Sequence, residues 1–188
     1  MYKKYLKRFI DLLLSFLAIA VLSPIFLIIS FIIFLFDNGP IFFIQDRVGK
    51  NGSTFKFYKF RTMPVDSPQL PSDQIKKIEI GIIGRILRRT NLDEIPQLIN
   101  IIAGQMSIVG PRPCLPEQEE LITLRKANGS IACRPGLTGM AQVNSYDGMP
   151  ISIKAEFDKH YSCNVTFFND IKIIFKTLVY LTKEPPKY

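Results

Sequence analysis

The stretch Arg88-Arg89-Thr90-Asn91-Leu92-Asp93-Glu94-Ile95-Pro96-Gln97-Leu98 sets two adjacent carboxylates beside a pair of guanidiniums. Paired arginines can grip a phosphate through directed, charge-assisted hydrogen bonds, and a carboxylate near the same phosphorus can attack it or hold a metal ion. The spacing has a second meaning. Asn91-x-x-Glu94 fits a capping box, and acidic residues in a first helical turn complement the macrodipole with no further role. With Asp93 near a helix N-cap, Pro96 falls in the first turn, where its missing N–H costs nothing. The positive end of that helix would then favour both an ionised Asp93 and an approaching phosphate. Cap and dyad both remain open on local sequence.

What must position this pair begins with a membrane-seeking segment. The chain has 188 residues, 47% of them hydrophobic, and from Leu12 to Phe36 no residue is charged. As straight helix this run is about 38 Å long, more than a hydrocarbon core of about 30 Å needs. Two features speak against a crossing. Lys3, Lys4, Lys7 and Arg8 precede the run and Arg47, Lys50 and Lys56 follow it, so both ends favour the cytoplasm. Ser23-Pro24 divides it near its middle, where proline clashes with the Ala20 carbonyl and Ser23 can bond back to a freed backbone oxygen. Each arm of about 12 residues reaches about 18 Å, enough to enter a leaflet and return. The expectation is a re-entrant helix over residues 1–38, bent at Ser23 and Pro24, continuous with a catalytic domain over 39–188 on the cytoplasmic face. The apolar run is too long for a signal-peptide core, and no A-x-A-like site follows it.

Cys114, Cys133 and Cys163 are odd in number and without C-x-x-C spacing, so neither a disulfide framework nor a zinc site is expected. The net charge of +8 suits an anionic lipid surface or anionic substrates. Basic residues do not cluster on a nucleic-acid reader module, so no nucleic-acid partner is expected.

After Gly39-Pro40, the runs Ile41 to Gln45 and Thr54 to Met63 flank a glycine-rich turn and read as a β-hairpin. Period two sends Lys59 and Arg61 to one face, either as solvated edge charges or as phosphate contacts. Pro64 to Asp73 reads as a surface loop and Gln74 to Arg89 as an amphipathic helix, suited to a core or to a membrane surface. Gly104 closes the helix that follows Pro96. Arg112 stands in a rigid turn between Pro111 and Pro113, preorganised for an oxyanion. Glu117 to Ala127 reads as a polar helix, Asn169 or Asp170 as the cap of a final amphipathic helix, and His160 as exposed. The fold class is α+β and predominantly helical, with the re-entrant helix, one small β-hairpin and amphipathic interfacial helices around the catalytic domain.

The order of these pieces resembles the small monotopic phosphoglycosyl transferases over almost the whole chain. The resemblance rests on Lys7, Arg8 and Asp11, Ser23-Pro24, and Gly39-Pro40 with Phe43, Gln45, Arg47, Gly49 and Gly52. It continues through Lys59-Phe60-Arg61-Thr62-Met63, Leu92-Asp93-Glu94-x-Pro96-Gln97-Leu98 with Asn100, and Gly104-x-Met106-Ser107-x-Val109-Gly110-Pro111-Arg112-Pro113. It ends with Pro135-Gly136-Leu137-Thr138-Gly139 and Gln142-Val143. It implies transfer of a sugar-1-phosphate from a nucleotide-diphosphate sugar, with UDP expected, to a polyprenyl phosphate in the bacterial inner membrane, an early step of glycoconjugate assembly. It implies Asp93 as the nucleophile forming a covalent phosphosugar, Glu94 as its partner in proton transfer or metal positioning, and Mg²⁺ at Asp93 and Glu94. Lys59, Arg61, Arg88, Arg112 and Gln142 are the candidate phosphate or substrate contacts. Sequence leaves the sugar and any homo-oligomer open.

Two other readings carry less of the sequence. A CDP-alcohol phosphotransferase needs D-G-x-x-A-R, which Asp147-Gly148 does not continue, and a non-catalytic membrane adaptor would use only the basic charge. The sequence departs from the family at Gln105, where an acidic residue is common, and after Asn144, where Ser145-Tyr146 replaces a frequent Gly-Arg. Exchanging Ser145-Tyr146 for Gly-Arg should therefore alter donor preference more than acceptor preference, and an unchanged ranking of nucleotide sugars in a transfer assay would refute this.

Overall fold

The computed structural model describes residues 1–36, 39–65, 67, 80–144 and 149–181. A π-helical turn over Tyr2–Leu6 leads into a long helix α1, Lys7–Phe36, that contains Pro24. Ser23 Oγ donates to the Ala20 carbonyl at 2.9 Å, the oxygen deprived of its partner by proline, so helix persists through the proline at small cost. Only Asp11, Ser15, Ile29 and Ile33 of α1 are buried, one stripe against the rest of the protein. Phe16, Leu17, Val21, Leu27, Phe31 and Phe34 on its other sides are all more than half exposed. Among the described residues this is the one helix long and apolar enough to cross a membrane.

Strands β1, Phe42–Val48, and β2, Thr54–Phe60, form the expected antiparallel hairpin, with Phe42 opposite Phe60 and Val48 opposite Thr54. Asn51 and Gly52 turn the chain at positive φ, which Asn and Gly accept most readily. Both faces of the hairpin meet apolar partners. Phe55 and Phe57 pack with Leu98, Ile101 and Met106, and the first arm of α1 adds Ala18, Ile19 and Leu22. Phe60 packs with Leu87, Ile29 and Ile33, and Phe26 joins from the second arm. The hairpin therefore packs against both halves of α1 and against the elements that follow.

Helix α2 spans Ile82–Arg89, with Gly81 at its N-cap. The helix expected from Gln74 thus begins later in the described region, because Ile80 and Gly81 are not helical, and residues 74–79 lie outside the described residues. Helix α3, Gln97–Ile102, ends at Gly104, whose φ is +83°. Asn100, fully buried, fastens α3 to β2: its Oδ1 accepts the Tyr58 N–H at 3.1 Å and its Nδ2 donates to the Lys56 carbonyl at 2.6 Å. Arg8 of α1 donates to the carbonyls of Ile101 and Ile102 at 2.7 and 3.0 Å, satisfying groups that a helix C-terminus leaves open.

A second small sheet was not expected from sequence. Strand β3, Ser107–Val109, runs parallel to β4, Gly136–Thr138; three-residue strands carry too little alternation to read. Gly110 and Gly136 meet backbone to backbone, and a Cβ on Gly136 would run into the Gly110 nitrogen. Asp11 of α1 accepts from Ser107 Oγ at 2.8 Å and the Ile108 N–H at 3.0 Å. Helix α4, Glu119–Ala127, α5, Met140–Asn144, α6, Ile151–Cys163, and α7, Phe167–Leu181, complete the fold. A buried Arg125–Asp158 pair, at 2.8 and 2.6 Å, joins α4 to α6.

The cap of α7 is Thr166, whose Oγ1 accepts the Asn169 N–H at 3.2 Å, rather than Asn169 or Asp170. Asp170 is buried instead, taking Lys7 Nζ at 2.7 Å and the Tyr2 and Tyr161 hydroxyls at 2.6 and 2.9 Å. Three donors hold this carboxylate inside the fold, in the first turn of α7 but not at its cap. Helix α7 is amphipathic, with Ile173 buried and Phe168, Phe175 and Leu178 exposed. His160 is exposed and the three cysteines are unpaired.

Candidate active site

Asn91 adopts the left-handed conformation at φ 54°, tolerated by Asn, and turns the chain out of α2 into a 3₁₀ turn over Leu92–Glu94. The backbone then runs through Ile95 and Pro96, the N-cap of α3. The capping-box reading fails: Asn91 makes no side-chain cap, and the Glu94 carboxylate reaches across to another element. Asp93 sits ahead of α3, separated from it by Pro96, and a six-residue helix carries little macrodipole. The positive field on the dyad comes from side chains.

Lys59, near the end of β2, supplies most of it. Its Nζ lies 2.7 Å from Glu94 Oε1 and 3.4 Å from Asp93 Oδ2, and 5.8 Å from the centre of the Phe57 ring. Lys59 is not a solvated edge charge, because α3, held by Asn100, brings the dyad onto the hairpin. Arg112 adds an Nη2 contact at 3.3 Å to the same Glu94 oxygen, while its side chain is 46% exposed and accessible to a ligand. Arg88, in the last turn of α2, donates through Nε to Thr62 Oγ1 at 2.9 Å, and its charge is felt at Asp93.

Arg61 and Gln142 have described contacts elsewhere. Arg61 is buried with its guanidinium against the Gly39 backbone. Gln142 donates to the Leu137 carbonyl at 3.1 Å, and its buried Oε1 has no hydrogen-bond partner among the described residues. Ser145-Tyr146-Asp147-Gly148 lies outside the described residues.

Sequence reasoning missed Arg47 as a site residue. Its guanidinium donates to Gln45 Oε1 at 2.7 Å and to the Pro113 carbonyl at 3.3 Å, and lies 5.3 Å from the Phe57 ring centre. The expected strand ends at Gln45, and the observed one runs on to Val48, which puts Arg47 on the same face as Gln45. Gln97, 2% exposed and with no hydrogen-bond partner for its Nε2 among the described residues, is a second buried polar group one turn beyond the dyad.

The two carboxylates are not equivalent. Burial pushes the Asp93 carboxyl above its usual range, and Glu94 adds to this, while Lys59 and Arg88 pull the other way. Burial also disfavours ionised Glu94, but Lys59 and Arg112 together more than offset it and hold its pKa at about 2. Glu94 is thus a fixed anion, and Asp93 is the more basic carboxylate. This reverses the expectation that a helix end would favour ionised Asp93.

Among the described residues no cluster of three or more His, Cys, Asp or Glu could hold a metal alone. The donor set still fits Mg²⁺, a hard cation commonly bound through one or two carboxylates plus phosphate oxygens and water. Asp93 and Glu94 are the residues that would hold it.

A family model described as bacterial sugar transferase matches residues 2–184. The exopolysaccharide production protein ExoY of Sinorhizobium fredii is 37% identical over 189 residues, covering 92% of this chain and 83% of that protein. The undecaprenyl-phosphate galactose phosphotransferase of Salmonella typhimurium is 34% identical over 191 residues, covering 93% of this chain and 40% of that protein. The UDP-N-acetylgalactosamine-undecaprenyl-phosphate N-acetylgalactosaminephosphotransferase of Aeromonas hydrophila is 34% identical over 186 residues, covering 93% of this chain and 43% of that protein. The chain thus spans less than half the length of the latter two.

Glu94→Gln removes a like charge and leaves Lys59 to Asp93, so the Asp93 pKa should fall, whereas Lys59→Met should raise it. Carbon-detected NMR titration of aspartate-labelled protein reads both shifts, and an unmoved Asp93 signal in the two variants would refute the coupling. The linkage to stability follows from the same directions. With its folded pKa raised, Asp93 contributes stability that declines as pH rises above its ordinary 3.8. With its folded pKa depressed, Glu94 contributes stability present above its ordinary 4.5 and lost as pH falls towards about 2.

Proposed function

The chain belongs to the bacterial sugar transferase family, and from that premise we propose that it moves a sugar-1-phosphate from a nucleotide-diphosphate sugar to a polyprenyl phosphate at a membrane surface. The observation that carries this reading is a dyad of adjacent carboxylates contacted by Lys59 and Arg112, with the charge of Arg88 felt at Asp93. Cations in excess of the two carboxylates suit a substrate bearing a diphosphate. The relatives named as undecaprenyl-phosphate galactose and UDP-N-acetylgalactosamine phosphotransferases favour a UDP donor and that acceptor.

In this mechanism Arg112 and Arg88 hold the donor diphosphate. An Asp93 oxygen attacks the phosphorus bearing the sugar, the bond to the bridging oxygen breaks, and the nucleoside monophosphate leaves with that electron pair. An oxygen of the polyprenyl phosphate then attacks the aspartyl phosphosugar, forming the lipid diphosphate sugar and restoring the Asp93 carboxylate. Splitting one displacement into two gives ping-pong kinetics. Glu94 keeps Lys59 and Arg112 in place, and Lys59 stabilises negative charge on the transferring phosphoryl group. Mg²⁺ bound at the dyad would neutralise phosphate charge and orient the donor.

The acceptor phosphate lies at headgroup level, so the dyad must be there too. Both halves of α1 pack on one domain: Asp11 in the first half is buried against β3, with Ser15 buried one turn on, and Ile29 and Ile33 in the second half are buried with Phe60 and Leu87. A helix crossing the bilayer would carry one of those halves, and the polar groups packed along it, into hydrocarbon. A re-entrant α1 with both ends on the cytoplasmic face avoids that cost, and the exposed apolar faces of α1 and α7 are then the lipid-facing ones.

Incubation of purified protein with a panel of UDP-sugars and no acceptor should add the mass of one phosphosugar at Asp93. The Asp93→Asn variant should lose this adduct and transfer while keeping membrane association. Unmodified wild-type protein with every donor would refute the covalent reading, and an Asp93→Asn variant that still transfers fully would refute Asp93 as the nucleophile; wild-type protein that binds membrane but transfers from no donor would favour an adaptor. For the anchor, single cysteines at residue 2 and after Asp37, in a protein otherwise without cysteine, should both react from the cytoplasmic side, and labelling from opposite sides would refute re-entry.

A further inference from the structure

Arg112 stands on a segment whose backbone is held from both sides. The Pro111 carbonyl accepts the Gly136 N–H at 2.9 Å, and the Gly110 N–H donates to the Thr138 carbonyl at 2.9 Å. On the far side of Arg112, β1 supplies the restraint. The Val48 N–H donates to the Cys114 carbonyl at 2.9 Å, and Arg47 takes the Pro113 carbonyl at 3.3 Å.

Arg47 is itself fixed. Its second nitrogen binds Oε1 of Gln45, a buried residue, at 2.7 Å, and its guanidinium lies over Phe57. We propose that Arg47 is a positioning residue: by holding the Pro113 carbonyl it fixes Arg112 beside Glu94, so the phosphate grip of Arg112 depends on a guanidinium that touches no substrate. This rests on the transferase reading for the role of Arg112.

The chemistry calls for arginine. Its planar fork reaches two acceptors at once while lying over a ring, whereas a lysine ammonium is a point charge that cannot span them in this geometry. Keeping two guanidiniums close together also has a cost: burial, then the charge of Arg112, holds the Arg47 pKa down at about 10. Three fixed carbonyls around Arg112 leave its side chain as the movable part, and a misplaced clamp loses much of its effect.

The test is a double-mutant cycle on the full-length protein in detergent or nanodiscs. Arg47→Lys and, as a milder release of the same guanidinium, Gln45→Met are each combined with Arg112→Met. UDP affinity by calorimetry and sugar-phosphate transfer are both read, with thermal unfolding as the check on folding. Arg47→Lys should weaken UDP binding and transfer about tenfold, within the range shown by directly coupled neighbours, and Gln45→Met should do so less. Both effects should vanish in the Arg112→Met background. Losses that persist there, or no loss from Arg47→Lys in a folded protein, would overturn the proposal. Coupling in UDP binding without any transfer would leave the Arg47 assignment standing and refute the transferase reading. Transfer with additive losses would do the reverse, and a wild-type protein that neither binds UDP nor transfers would overturn both.

Discussion

Two neighbouring carboxylates withdrawn from water require cations brought to them, because an uncompensated buried charge costs several kcal/mol. That requirement organises the fold around Lys59. The turn bearing Asp93 and Glu94 and the strand bearing Lys59 come from distant parts of the chain, and the ammonium 2.7 Å from Glu94 is where they meet. Asn100 makes the meeting reproducible, since its two hydrogen bonds to β2 backbone leave α3 and the preceding turn one register on the hairpin. Glu94 takes most of the cationic contact, which leaves Asp93 the more basic group. The division of labour within the dyad thus follows from unequal access to one lysine and one arginine.

Helix α1 belongs to the same system of restraints. Arg8 closes the C-terminal end of α3 and Asp11 binds the start of β3, so the first turns of α1 grip both segments that lead to the site. Three of these contacts are to backbone, which makes them largely independent of side chains elsewhere. The helix is therefore a wall of the catalytic domain as well as its apolar surface. The position of α1 and the placement of the site are coupled through those few polar contacts.

Elements with long, strong patterns were legible in the sequence. The apolar helix, the hairpin and the α7 amphipathy follow from composition and period, and the Ser23 back-bond to Ala20 follows from the chemistry of proline. The motif order led to the family that the comparisons also give. Signals failed where elements were short or where a side chain had two plausible partners. Three residues a strand leave the β3–β4 pair no pattern to read, Asn169 and Asp170 have cap chemistry but Thr166 provides the cap, and Glu94 is compatible with a capping box it does not form.

Sequence by itself determined which residue types are available and at what local spacing: adjacent carboxylates, scattered basic residues, and an uncharged stretch with a proline at its centre. These are properties of neighbours along the chain, set by covalent geometry and local hydrogen bonding. Tertiary structure alone decided that Lys59 is an ion-pair partner, that Arg61 lies against Gly39, and that Arg47 stands behind Arg112. It also decided that burial raises the Asp93 pKa. Desolvation and charge pairing depend on groups far apart in the chain, and only packing brings those groups within a few ångströms.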